Sequence, residues 1–321
     1  MPSRLSRRTF LERTGAVAAA TAAMPALLKG GRAVAARPMR LGGPIFLSSD
    51  DPGELAREHR RLGYRAAYTP NVELKDKDRI KAIIKEYAAQ DVVIAETGAW
   101  RNMQDPDPEK RRANLAYVQE RLALADELGA RCCVDIAGSH NPTSWSGPHP
   151  YNITQEFVDV TVENCRNLID AVKPTRTKLT IEMMPFSFPT GPDDYLKLIK
   201  AVDRKAFAVH VEVCNVMNGP ERMYNNGRVI RECFHKLGKW IVSCHAKDLA
   251  WEDYVQVCLR EVVVGRGQID YRTYLTELSK LPGDAPLMLE HCKTAEEYDE
   301  GRRHIQSVAR ELGLSFGTEG A

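Results

Sequence analysis

Long apolar runs are missing from this 321-residue chain: no stretch of 18 or more apolar residues occurs, so no membrane-spanning helix is expected. C-x-x-C spacing is missing too. The eight cysteines include the adjacent pair Cys132 and Cys133, and Cys214, Cys244 and Cys292 in or beside apolar runs. That pattern excludes a zinc knuckle or a dithiol redox motif and reads as small buried side chains. Concentrated positive charge is also lacking. The formal net charge is +2, but residues 1–36 hold six Lys/Arg and one Glu, leaving 39 basic against 42 acidic residues in the rest. A weakly acidic body gives no footing to a nucleic-acid binder. Finally, the first apolar run, Arg40–Phe46, is followed by Ser48-Ser49-Asp50-Asp51-Pro52, which is no Gly-rich phosphate loop.

What is present begins with an address. Ser6-Arg7-Arg8-Thr9-Phe10-Leu11 is a twin-arginine pattern, Gly15 to Leu28 is Ala-rich and mildly apolar, and Ala33-Val34-Ala35 is a small-x-small cleavage site. Basic, apolar and small-residue regions in that order make an export signal. The expectation is a signal peptide over residues 1–36, the twin-arginine translocase as a transient partner, a periplasmic or extracellular destination, and one domain over residues 37–321. That export route carries proteins already folded, which hints at a cofactor loaded beforehand.

The remaining chain alternates short apolar runs with longer amphipathic segments. Eight strands are expected at Arg40–Phe46, Ala66–Thr69, Val92–Glu96, Cys132–Ile136, Leu179–Glu182, Ala208–Val213, Ile241–His245 and Leu287–Glu290, each rich in aliphatic residues and bounded by polar or Gly/Pro residues. Helices are expected at Pro52–Leu62, Asp76–Ala89, Glu109–Leu128, Thr154–Val172, Asp193–Val202, Gly227–Leu237, Tyr271–Leu281 and Thr294–Leu312, with Thr294 and Glu297 spaced as a capping box. Eight strand–helix alternations fit a single (β/α)8 TIM barrel, an α/β fold. A doubly wound open sheet is the alternative.

Chemistry in such a barrel sits where the strands end. Four successive strands end in Glu182, Glu212, His245 and Glu290. If Glu182 points inward, so does Thr180; by the same parity His210 lies under Glu212, Ser243 under His245 and Met288 under Glu290. Ile181, Val211 and Leu289 then face the helices. Three carboxylates at one mouth repel and need a cation. Carboxylates plus one imidazole suit one divalent ion, manganese ahead of magnesium, cobalt or zinc. Lys247 and Asp248 follow His245 directly, and Glu96 and Trp100 lie at the end of strand three; all four are candidates for substrate contact, Trp100 as a flat apolar face for a sugar ring. His140 and His149 sit in a Gly/Pro/Ser-rich loop, residues 138–152, whose length points to a role over the mouth.

Ile181-Glu182, Val211-Glu212-Val213-Cys214-Asn215, His245-Ala246-Lys247-Asp248 and Leu289-Glu290-His291 resemble the xylose isomerase-like sugar isomerase/epimerase superfamily. So do Gly63-Tyr64-Arg65-Ala66-Ala67-Tyr68 and Gly265-Arg266-Gly267-Gln268-Ile269-Asp270-Tyr271. The resemblance implies a metal held by Glu182, Glu212, His245 and Glu290; Glu212 departs from the Asp usual in ketose 3-epimerases. It implies Glu182 and Glu290 as the catalytic pair, one removing a proton beside a carbonyl and the other returning it. Asn215 and Arg260 join the substrate contacts, and a homo-oligomer is implied by analogy. The substrate expected is a free or oxidised sugar or a glycoside. Three other readings stand beside isomerase or epimerase: a lyase cleaving 3-keto-glycosides by β-elimination, a non-catalytic exported sugar-binding protein, and an abasic-site nuclease, against which the single strand-end His and the acidic body argue.

Overall fold

A computed structural model describes residues 38–317; the export-signal expectation lies outside them. Strands β1 (Arg40–Gly42), β2 (Ala66–Tyr68), β3 (Val93–Gly98), β4 (Cys132–Asp135), β5 (Leu179–Ile181), β6 (Val209–Val211), β7 (Ile241–Ala246) and β10 (Pro286–Leu289) form one sheet in the order β5-β4-β3-β2-β1-β10-β7-β6. Every pairing in it is parallel. A parallel bridge from Leu179 to Phe207 closes the ring, through Leu179 N–H to the Ala206 carbonyl at 2.8 Å and Ala208 N–H to the Leu179 carbonyl at 3.0 Å. Closure makes this a single (β/α)8 barrel and removes the open doubly wound alternative.

Helices cover the outside: α1 (Pro52–Arg61), α2 (Lys77–Ala89), α3 (Pro108–Leu128), α4 (Gln155–Val172), α5 (Pro192–Val202), α6 (Val213–Val216), α7 (Pro220–Tyr224), α8 (Asn226–Leu237), α9 (Tyr271–Leu278) and α10 (Ala295–Glu311). Their starts are chemically marked. Asp51 accepts from Glu54 N–H at 2.7 Å, and Asp107 from Glu109 N–H at 2.8 Å, each satisfying a donor that has no partner within its helix. Thr294 caps α10 by accepting from Glu297 N–H, but the Glu297 carboxylate reaches back to Lys293 N–H at 2.6 Å. The capping box is therefore closed one residue early.

Strand parity holds as expected. Ile181, Val211 and Leu289 pack into the large apolar layer between strands and helices, whereas Met288 sits in the barrel interior against Ala66 and Ala95. A Cβ on Gly42 would come within 2.5 Å of Met288 Sδ, so glycine is what lets this one side chain fill the lower interior. The sequence did not announce the antiparallel hairpin of β8 (Asp248–Trp251) and β9 (Leu259–Val262) after β7, because the segment between its strands lacks the usual turn pair.

Candidate metal centre

Glu182, Glu212 and Glu290 each stand one residue beyond their strands, and His245 is the penultimate residue of β7. A strand's end is where the backbone stops pairing sideways, so these side chains turn into the mouth. His245 Nδ1 lies 3.7 Å from Glu182 Oε1, 3.3 Å from Glu212 Oε2 and 3.0 Å from Glu290 Oε2. Metal–ligand bonds of about 2.0–2.3 Å place neighbouring ligands roughly 2.8–3.8 Å apart, and the three distances fall in that span. The four ligand atoms lie within 4.8 Å of one another.

Three of these atoms, His245 Nδ1, Glu212 Oε2 and Glu290 Oε2, are buried without a hydrogen-bond partner. Buried polar atoms are rarely left so, and three converging on one point fit a cation. Lys247 supplies part of the neutralisation, its Nζ standing 3.5, 3.1 and 2.9 Å from Glu182, Glu212 and Glu290. Against three carboxylates, one ammonium leaves two negative charges, the complement of a divalent ion. The extra methylene of Glu212 is absorbed locally: its other oxygen, Oε1, accepts from Cys214 N–H at 2.8 Å and caps α6. That bond holds Oε2 toward the cluster.

The charges shift one another. Burial pushes the Glu182 and Glu212 carboxyls up, but Lys247 and His245 outweigh it and hold both below the ordinary range. Burial pushes His245 down, but Glu290 and Glu96 outweigh it and raise it well above the usual imidazole range. Burial likewise lowers Lys247, and Glu212, Glu182 and Glu290 more than reverse it. The mouth is a strong attractor for positive charge.

Glu96 corrects the expectation of substrate contact. Strand β3 runs two residues past it, to Gly98, so Glu96 lies one layer below the mouth. It is buried and engages three donors: His210 Nε2 at 3.1 Å, His245 Nε2 at 3.0 Å, and the Ser243 hydroxyl. By accepting from His245 Nε2–H, it fixes the ring so that Nδ1 faces the three carboxylates. Glu96 is thus a positioning residue. His210 lies under Glu212 as parity requires, edge-on to His245 with ring centroids 4.0 Å apart.

Above the cluster opens a cavity of about 410 Å³. Glu182, Glu290, Asn215, Lys247 and Trp100 line it. Asn215 donates to Glu182 Oε1 at 3.0 Å and to the Met183 carbonyl at 2.9 Å. Two expected contacts fall elsewhere. Asp248 is buried and accepts from the N–H groups of Leu249, Gly265, Gly267 and Ile269 at 2.9, 2.9, 3.1 and 3.0 Å; it ties down the segment after β9. A Cβ on Gly267 would come within 2.2 Å of its carboxylate. Arg260 is on the exposed β9 edge, ion-paired to Glu252. His140 stacks on Tyr151 at 4.0 Å and neighbours His149; neither lines the cavity. The sequence reading missed Trp145 and Phe186, exposed walls of the cavity, and Glu261 and His291 at its rim, joined at 2.7 Å. Loop length was the only signal for Trp145.

Comparison places this geometry among known barrels. No curated protein matches the chain in sequence. Among solved structures, a xylose isomerase-like TIM barrel protein from Mycobacterium smegmatis in complex with magnesium shares 18% identity and a TM-score of 0.61, over 86% of this chain and 98% of that one. Endonuclease IV from Thermus thermophilus shares 14% and 0.63, over 85% and 100%. D-psicose 3-epimerase from Clostridium cellulolyticum H10 shares 14% and 0.60, over 82% and 94%. At such identities the likeness shows the fold. The family of xylose isomerase-like TIM barrels matches residues 56–308, and with the closed barrel and the Glu/His cluster at its mouth, the chain belongs to that family.

Proposed function

We propose that this protein is a divalent-metal-dependent carbohydrate isomerase or epimerase, acting by proton abstraction beside the carbonyl of a keto sugar or sugar derivative. The observation that carries the reading is the pairing of two carboxylates, Glu182 and Glu290, with the His245/Glu212 corner at the floor of one cavity. Glu182, Glu212, His245 and Glu290 would hold the ion. When bound, a divalent ion polarises a carbonyl and an adjacent hydroxyl.

The chain's residues account for the proton. Glu182 and Glu290 reach the cavity from β5 and β10, which are separated by β6 and β7 around the ring. They therefore approach a bound substrate from different directions. One carboxylate takes the proton from the carbon beside the carbonyl, and the electron pair moves onto the carbonyl oxygen. Lys247 Nζ, buried and charged, stabilises that oxygen. The other carboxylate, entering as the acid, returns a proton to the opposite face and gives the epimer. Asn215 fixes Glu182 through its 3.0 Å hydrogen bond. Trp100 offers a ring face.

A second reading keeps the same first step. Trp145 and Phe186 are 47% and 38% exposed at the cavity wall, an apolar extension beyond one sugar ring. That favours a glycoside, from which loss of the β-substituent after proton removal gives elimination instead of epimerisation. The nuclease reading finds no support in a cluster with one imidazole. Export through residues 1–36 is part of the proposal.

The test is incubation of the protein with Mn²⁺ in D2O on a panel of ketoses and 3-keto-glycosides, followed by NMR. Deuterium at the carbon beside the carbonyl, dependent on metal and lost in Glu182→Gln and Glu290→Gln, is expected. Stoichiometric metal with no exchange on any substrate would leave a sugar-binding protein. Absence of metal binding would sink the site.

A further inference from the structure

A second cavity, of about 540 Å³, lies between α1 and α10. It is lined by Arg57, Arg60 and Arg61 from α1 and by Arg302 and Arg310 from α10. Arg60, Arg61 and Arg310 occupy the last turns of their helices. In a β/α barrel the helices run back against the strands, so their C-terminal ends lie opposite the mouth. This cavity is therefore separate from the metal centre.

Arginine in a last helical turn has an ordinary explanation, since each helix end presents about half a negative charge. That explanation is too small here. Glu58 pairs with Arg61, and Asp299 with Arg302. Those two carboxylates and the two helix ends together offset about three of five guanidinium charges. Arg57, Arg60 and Arg310 have no ion-pair partner among the described residues. A second observation is independent of charge counting. Arg60 Nη1 and Arg302 Nε are buried with no acceptor, and an unsatisfied guanidinium N–H is costly. Apart from Gln306, the rest of the wall is apolar, with Leu62, Leu314 and Phe316, so a bound group would be partly withdrawn from water and its ion pairs strengthened.

We propose that this cavity binds a small oxyanion carrying two or more negative charges, held by the forks of Arg60 and Arg310. Guanidinium forks match the paired oxygens of phosphate and carboxylate. The volume is that of a small-molecule site, roughly 300–1000 Å³.

Calorimetric titration of the full chain, without added metal and at constant ionic strength, tests this with two probes. Pyrophosphate represents phosphate sources and citrate represents polycarboxylates. One-site binding of at least one probe is expected, weakened about tenfold or more in Arg60→Gln and in Arg310→Gln, with Mn²⁺ affinity unchanged in both variants. The two probes then say which oxyanion class the site prefers. Failure of both probes to bind at millimolar concentration would overturn the proposal. So would binding that both variants retain, since it would place the anion elsewhere. Melting temperatures of the variants without anion, equal to or above that of the parent, show that a lost signal is lost binding and not lost fold.

Discussion

The interior of the barrel carries the same residue types in two layers that behave oppositely. In the lower layer Glu96 has both oxygens engaged, by His210, His245 and Ser243. In the upper layer Glu212 Oε2, Glu290 Oε2 and His245 Nδ1 are buried and without hydrogen-bond partners. Both layers set acid against imidazole, but the upper one crowds three carboxylates around one ammonium and leaves these atoms unsatisfied. A carboxylate that meets its donors holds its neighbours still, whereas carboxylates left facing one another hold a place for a cation. His245 belongs to both layers, one ring nitrogen in each.

The largest effect should come from the upper layer. Glu290→Gln and Glu182→Gln should each lower proton exchange by at least about a hundredfold, read by NMR in D2O, with the melting temperature preserved. If either variant kept full exchange, the catalytic pair would be wrong. The lower layer should act through metal instead. Glu96→Gln should weaken Mn²⁺ binding about 10–100-fold by calorimetry, while Glu96→Asp recovers part of it. Equal Mn²⁺ affinity in Glu96→Gln would separate the layers and remove the positioning role.

A pH series sharpens the same contrast. His245 is held above the ordinary imidazole range, so the stability it contributes is fully present below about pH 6.5 and is lost as pH rises through its raised folded value. Glu96 is held below the carboxylate range: burial raises it, but His245 and His210 more than compensate. Its contribution is present above about pH 4.5 and is lost only as pH falls through the lowered value. Metal needs the neutral imidazole, so Mn²⁺ affinity should rise from pH 6 to pH 8 with release of protons, counted calorimetrically in buffers of different ionisation enthalpy.

The two relocated residues should give the smaller effects. Asp248→Ala strips acceptors from four backbone N–H groups and should cost about 3 kcal/mol of stability, seen as a lower melting temperature with exchange at saturating substrate retained. Arg260→Ala removes one exposed ion pair and should change stability by under about 1 kcal/mol with KM unaltered. A large KM effect there would return Arg260 to the site.

Most of the upper layer was legible before folding. Period-two parity assigned Glu182, Glu212, His245 and Glu290 to one mouth, because strand geometry leaves only two faces and the aliphatic residues claimed one. Glu96 was misplaced by a single layer. Parity does not give depth, and on β3 it fails outright: the pairing with β2 shifts register there, so that Ala95 and Glu96 both face inward. Asp248 was misread for a related reason. Adjacency to His245 suggested the mouth, but its partners Gly265, Gly267 and Ile269 lie 17 to 21 residues on.

By itself, then, the sequence determined the alternation of strands and helices, the inward set of acid and imidazole side chains, and the caps that start the helices. Each is a short-range property, read from neighbours within a turn or a strand. The tertiary structure alone decided the closure of the sheet between Leu179 and Phe207, which His245 nitrogen Glu96 engages, and the walls that Trp145 and Phe186 build over the cavity. It also decided the meeting of arginines from α1 and α10, which lie about 240 residues apart along the chain. Those are contacts between distant segments, fixed by packing around one closed ring, and no local pattern encodes the distance between them.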